Sequence, residues 1–144
     1  MNVWKSLYND YYLKGGCDMK NERRFCLCNH CGNLISFLNY SGVDVVCCGE
    51  EMMVLTPNTV DAAVEKHVPA AVREGNKLIV TVRSVPHPMT EEHHIAWIVV
   101  AEDNRTQRVA LLPTQAPTAE FIVGDGPVVV YAYCNLHGLW EAQL

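Results

Sequence analysis

From Lys77 onward the chain is cut into short runs rich in Val and Ile: "KLIVTVRSV", "HIAWIVVAE", "TQRVALLP", "AEFIVG" and "PVVVYAYCN". Pro, Gly, Asn or Asp separates one run from the next. Runs of this length at a spacing of roughly ten residues predict the antiparallel strands of a β-sandwich. No long amphipathic helix competes with that reading. "IAWIVVA" and "VVVYAY" are apolar on both faces, as expected of central strands in a two-sheet core. With 49% hydrophobic and 19% charged residues in 144, the chain can bury such a core within one domain.

Three further stretches precede the strands. Residues 1–24 carry Trp4, Leu7, Tyr8, Tyr11 and Tyr12 near helical spacing and read as an N-terminal docking arm or loose lead. Residues 25–55 form a compact cysteine-bearing unit. Residues 56–76 are expected to be mostly loop, with Pro57 and Pro69 and a short helical turn around Asp61 to Val64. The sandwich domain is taken as 56–144. Neither an internal repeat nor a low-complexity segment is visible.

The formal charge is −5, unevenly spread. Residues 1–25 hold five Lys/Arg against three acids, and residues 26–144 hold six against thirteen. No basic block is present, which argues against a nucleic-acid surface. The acidic body would repel an anion unless a local positive group helped it in. The longest apolar runs, Ile95 to Ala101 and Val128 to Cys134, have strand length and fall short of a membrane span. The first twenty residues lack the continuous apolar stretch of a secretory signal, so the expectation is a soluble cytoplasmic protein.

Seven cysteines in a reducing compartment point to metal ligands or thiols before disulfides. "CNHCG" holds Cys28 and Cys31, and "CCGEE" holds Cys47 and Cys48. A C-x-x-C turn closed by glycine presents two sulfurs to one ion, and a second such turn facing it completes a tetrahedral site for zinc or iron. Adjacent cysteines diverge on an extended backbone, so joint ligation by Cys47 and Cys48 demands a bent chain. A zinc knuckle that holds together a unit too small to fold alone is the plainest reading. Cys17 and Cys26 read as thiols outside the site.

Six histidines are present, and any one alone is more often a surface or hydrogen-bonded residue than a ligand. His30, inside the cysteine turn, fits that reading. The others sit at strand edges or in loops: His67 in "EKHVP", His87 in "PHPM", His93 and His94 ahead of "IAWIVVA", and His137 in "YCNLHGLW". Such positions can converge at one end of a sandwich. Neighbours in a strand point to opposite faces, so His93 and His94 cannot both reach one ion. Four imidazoles with the Cys134 thiolate exceed a zinc tetrahedron and would leave an octahedral iron one open position. A thiolate opposite that position would push electron density toward whatever binds there.

Taken in order, "CNHCG", "CCGEEM", "EKHVP", "PHPM" with a histidine six residues after His87, and "CNLHGLW" resemble the desulfoferrodoxins, which are superoxide reductases. The likeness covers roughly residues 25–144. It implies a mainly β protein with a small rubredoxin-like Cys₄ domain, followed by an immunoglobulin-like antiparallel sandwich. Carried over by position, Cys28, Cys31, Cys47 and Cys48 would hold a distorted Fe(Cys)₄ centre, where zinc could substitute. His67, His87, His93 and His137 would be equatorial ligands of the active iron, with Cys134 axial. Glu65 would close the sixth site of the ferric iron, and Lys66 would supply positive charge that steers superoxide in. The implied reaction takes superoxide, one electron and two protons to hydrogen peroxide. A rubredoxin-type donor would return the electron, and a homodimer is favoured. Residues 1–24, Cys17 and Cys26 have no counterpart in the family pattern.

Other readings of the same residues are a zinc-stabilised binding module, a pure electron carrier, and a cysteine hydrolase using Cys134 with His137. The last lacks a clear third catalytic member or oxyanion feature.

Overall fold

The computed structural model describes residues 25–38, 40–59, 67–82 and 88–144. Trp4 and the rest of the N-terminal stretch, Cys17, the turn expected at Asp61 to Val64, Glu65, Lys66 and His87 lie outside the described residues. The described elements run β1 (Phe25–Leu27), β2 (Leu34–Ser36), β3 (Val46–Cys47), β4 (Glu50–Glu51), β5 (Met53–Val54), β6 (Pro69–Glu74), β7 (Lys77–Val82), β8 (Ile95–Ala101), β9 (Thr106–Ala110), β10 (Thr118–Ile122), β11 (Val129–Cys134) and β12 (Gly138–Gln143). Among the described residues no helix is long and apolar enough to cross a membrane.

Two antiparallel sheets make the immunoglobulin-like sandwich, one ordered β10-β7-β6 and the other β12-β11-β8-β9. Alternation decides which side chains meet between them. Leu78, Val80 and Val82 of β7 face Ile98 and Val100 of β8 and Val130, Ala132 and Cys134 of β11 in one buried cluster with Phe121. As the sequence predicts, β8 and β11 are central in their sheet and covered on both faces. The cover on the outer face comes from the cysteine-bearing unit. Phe25, 3% exposed, stacks on Trp97 at 5.3 Å and meets Tyr131 edge-on at 5.1 Å, with Val99, Val129 and Leu139 around it. Burying one such phenyl ring is worth about 2–3 kcal/mol.

The cysteine-bearing unit itself consists of β2-β1-β5 and the β3-β4 hairpin, all strands of two or three residues. Its own buried set is only Cys26, Cys28 and Met52. Apolar burial on that scale cannot hold a fold.

The expectation of mostly loop over 56–76 is corrected at β6, and β12 was not foreseen. β6 "PAAVRE" opens on a proline and carries two charges. It is an edge strand, where a missing N–H at the first position costs no ladder bond. β12 "GLWEAQ" has no β-branched residue and is specified by its turn and by Trp140.

Candidate metal centres

In the cysteine-bearing unit, the first turn is closed by the Gly32 N–H donating to the Cys28 carbonyl at 3.0 Å, with Gly32 at φ 76°. The second turn is the β3-β4 hairpin, in which Cys47 pairs with Glu50 across the two-residue loop Cys48-Gly49. Both loop residues have positive φ, 53° at Cys48 and 83° at Gly49. This is the mirror-image turn that two-residue hairpins require, and a non-glycine residue there costs about 1–2 kcal/mol. It is also the bend that the adjacent cysteines demanded.

The four sulfurs of Cys28, Cys31, Cys47 and Cys48 lie within 4.8 Å of one another. Cys31 Sγ and Cys47 Sγ are 3.6 Å apart. Sulfurs about 2.3 Å from one tetrahedral ion stand about 3.8 Å apart, so the spacing fits a first-row metal. The backbone N–H of Cys31 is the main cause that holds the Cys28 thiol down to about 6. Sharing hydrogen bonds first with Cys31 and then with Cys28 raises Cys47, and pushes Cys48 up to about 12. His30 stays outside, its Nε2 2.9 Å from a Glu50 carboxylate oxygen at the solvent-exposed surface. Cys26 is buried beside Cys28 and is not among the four converging sulfurs.

The second cluster sits at one end of the sandwich. His67 precedes β6, His93 precedes β8, Cys134 ends β11, and His137 lies in the turn to β12. Cys134 pairs with Gly138 across the loop Asn135–His137, and Gly138 takes a left-handed φ of 73° where the chain enters β12. This loop folds His137 back over the strand end, leaving its Nδ1 3.7 Å from Cys134 Sγ and 2.9 Å from His67 Nε2. The ligand atoms of His67, His93, Cys134 and His137 all lie within 4.8 Å of one another. Two imidazole nitrogens about 2.1 Å from one ion and at right angles stand about 3 Å apart, against about 3.4 Å in a tetrahedron. The observed 2.9 Å is nearer the first, while the 3.7 Å between His137 Nδ1 and Cys134 Sγ is nearer a tetrahedral edge, so the cluster is the size of a metal site without selecting one geometry.

A bulge decides which of the adjacent histidines joins. Along β8, Ile98 and Val100 face the interior, and strict alternation would continue to Ala96 and His94. The β8-β11 register shifts there, so Tyr133 pairs with Trp97 but Cys134 with Ile95. Ala96 is the extra residue, Ile95 is fully buried, and the parity is inverted. His93 is therefore turned toward the cluster. His94 is held elsewhere, its Nδ1 3.0 Å from the Thr90 carbonyl oxygen.

Two of the four donors are enclosed, and the other two, His93 and His137, are half-buried. His67 is 2% exposed and Cys134 fully buried. Burial pushes the Cys134 thiol up, opposed by the N–H groups of Leu136 and His137, and burial together with the neighbouring His137 and His67 pulls His93 down. Three imidazoles and a thiol suit iron, zinc or copper and not magnesium or calcium.

Two residues outside the expected set complete the geometry. Trp140 is fully buried, and its ring stacks on His67 at 4.9 Å and 21°. Its cross-strand partner Ala132 is small enough to admit it. Asn135 bonds both to Glu92 and to His94, and nothing but its place in "CNLH" pointed to it.

The desulfoferrodoxin family model matches residues 59–143. The chain is 45% identical over 125 residues to the desulfoferrodoxin of Nitratidesulfovibrio vulgaris, covering 87% of this chain and 99% of that protein. It is 38% identical over 99 residues to the superoxide reductase of Pyrococcus abyssi, covering 56% and 86%. Among solved structures it is similar to the superoxide reductase of Treponema pallidum, with a TM-score of 0.70, 36% identity and coverage of 85% and 99%. The chain belongs to the desulfoferrodoxin family.

Proposed function

We propose that the chain is a superoxide reductase, reducing superoxide by one electron to hydrogen peroxide at a mononuclear iron held by four imidazoles and one thiolate. The reading is carried by the convergence of His67, His93, His137 and Cys134, in a chain related to proteins named superoxide reductases. These four would hold the iron, with His87 as the fourth imidazole. Five such donors leave an octahedral ion one open position, and iron there supplies the one-electron couple that the reduction needs.

The chain's own residues would do the rest. Burial of Cys134 and His67 keeps water from competing for the donors. Lys66, next in sequence to His67, would draw the anion in against the acidic body. Glu65 would take the open position in the oxidised resting state. Cys28, Cys31, Cys47 and Cys48 would hold a second iron, replaceable by zinc.

In this reading 25–55 is the rubredoxin-like Cys₄ domain, 56–144 the reductase sandwich, and 1–24 an extension of unassigned role. A rubredoxin-type protein would return the electron to a homodimer. The reading places the protein in the cytoplasm, where a reducing environment keeps such thiols available as ligands.

Counting products tests the reaction. With an excess of reductant, a reductase yields one hydrogen peroxide per superoxide consumed and no dioxygen. Lys66→Ala should slow the bimolecular step and flatten its salt dependence. Dioxygen as a stoichiometric product, or an unchanged rate and salt dependence in Lys66→Ala, would contradict the assignment.

A further inference from the structure

The cluster at the end of the sandwich is assembled from separate segments, and one side chain ties two of them together. Asn135 follows Cys134 and lies in the loop that carries His137. Its Oδ1 accepts the N–H of His94 at 2.8 Å, and its Nδ2 donates to the carbonyl of Glu92 at 2.9 Å. Its own backbone N–H donates to the carbonyl of His94 at 3.2 Å. The two bonded peptide groups are those on either side of the His93 Cα. Rotation about φ of His93 moves the Glu92 carbonyl, and rotation about ψ moves the His94 N–H. A single amide therefore fixes both backbone dihedrals of His93, just where the Ala96 bulge has inverted the strand's parity.

Other bonds within this turn are local. The His93 N–H donates to Thr90 Oγ1 at 3.2 Å, and the Thr90 N–H to the His93 carbonyl at 3.0 Å. They shape the turn without relating it to Cys134 or His137.

We propose that Asn135 is a positioning residue for the metal site, holding His93 rather than His94 against the loop that carries Cys134 and His137. The inference rests on the reading of that cluster as an iron site. Groups that orient metal ligands are worth about 10–100-fold in metal affinity when lost.

The test uses the full-length iron-loaded protein, oxidised, with a chelator added. Iron loss from each centre is followed by the bleaching of its own thiolate-to-iron absorption. Asn135→Ala should lose iron from the His/Cys centre about 10–100-fold faster than wild type. The Cys₄ centre should bleach at the wild-type rate. Asn135→Asp keeps the acceptor for His94 and loses the donor to Glu92, so it should fall between. It also carries the same comparison if the alanine variant does not fold.

Asn58→Ala is the control, because Asn58 also makes two side-chain bonds to a distant backbone, both at Glu141. It should leave the His/Cys centre at the wild-type rate. Equal loss in Asn135→Ala and wild type, equal acceleration at both centres, or equal acceleration in Asn58→Ala would overturn the positioning role alone. A wild-type protein with no band from the second centre would overturn the iron reading, and the inference with it.

Discussion

The two clusters solve the same problem, gathering soft donors around one point, in opposite ways. Cys28, Cys31, Cys47 and Cys48 come from two tight turns close in sequence, on a unit that buries almost nothing of its own. His67 and His137 are 70 residues apart and meet only because the sandwich brings β6, β8, β11 and β12 to one end. With so little of its own to bury, the first cluster's unit would take much of its stability from a bound metal, whereas the second has a fold that makes its cluster. A site made by its metal tolerates exposure, as at Cys31 and Cys48. A site made by its fold can be dry, and a dry site with an open position can do chemistry.

The largest expected effect follows from the first half of that contrast. Stripping the Cys₄ metal removes most of what holds residues 28–51, since structural metal binding contributes about 10–16 kcal/mol in units of this kind. Hydrogen exchange after chelation should show that segment unprotected, with β7, β8 and β11 still protected. Simultaneous loss of protection in both would break the distinction.

Next in size is Trp140→Ala. It removes a fully buried indole and the stack on His67, and should cost about 3–5 kcal/mol in a denaturant titration. Iron at the His/Cys centre should bind more weakly, with the Cys₄ absorption intact.

Proton release sharpens the comparison further. Ligating thiols must lose their protons, so affinity at both centres falls as pH falls. Cys47 and Cys48 are both held protonated at neutral pH by their neighbours, while the other centre has, among the described residues, Cys134 as its one cysteine and a His93 kept neutral by burial. Zinc titration calorimetry in buffers of different ionisation enthalpy should therefore find more protons released at the Cys₄ centre. The reverse order would contradict the assignment of donors.

The smallest effect lies in the sandwich, away from both centres. The Glu102 carboxylate accepts the Gly124 N–H at 2.7 Å and pairs with Arg105, and the first of these chiefly holds its pKa below the usual range. Its contribution is full above the unfolded carboxylate pKa and is lost as pH falls through the folded one. Glu102→Gln should cost about 1–2 kcal/mol at neutral pH and progressively less in acid, measured by urea unfolding across pH.

How much could be read ahead differs between the clusters for the same reason that their construction does. Spacing alone exposed the Cys₄ set, down to the bend at Cys48, because its geometry is local. The strands β7 to β11 were legible from their Val and Ile content. β6 was hidden by Pro69 and its charges, and β12 by its lack of β-branched residues, since pairing rather than propensity makes them strands. For the second cluster the sequence supplied the types of donor and the family likeness supplied the list. The choice of His93 over His94 depends on a bulge at Ala96 that no residue type announces. The stack of Trp140 on His67 depends on a small partner, Ala132, one strand away.

The central claim is that the His/Cys cluster holds a redox-active iron through Cys134. An optical spectrum of the iron-loaded protein before and after oxidation tests it most directly. A thiolate-to-iron band should appear on oxidation, vanish in Cys134→Ser, and survive in Cys48→Ser, where the Cys₄ absorption is lost instead. A band that persists in Cys134→Ser, or the lack of any band that oxidation brings out, would contradict it.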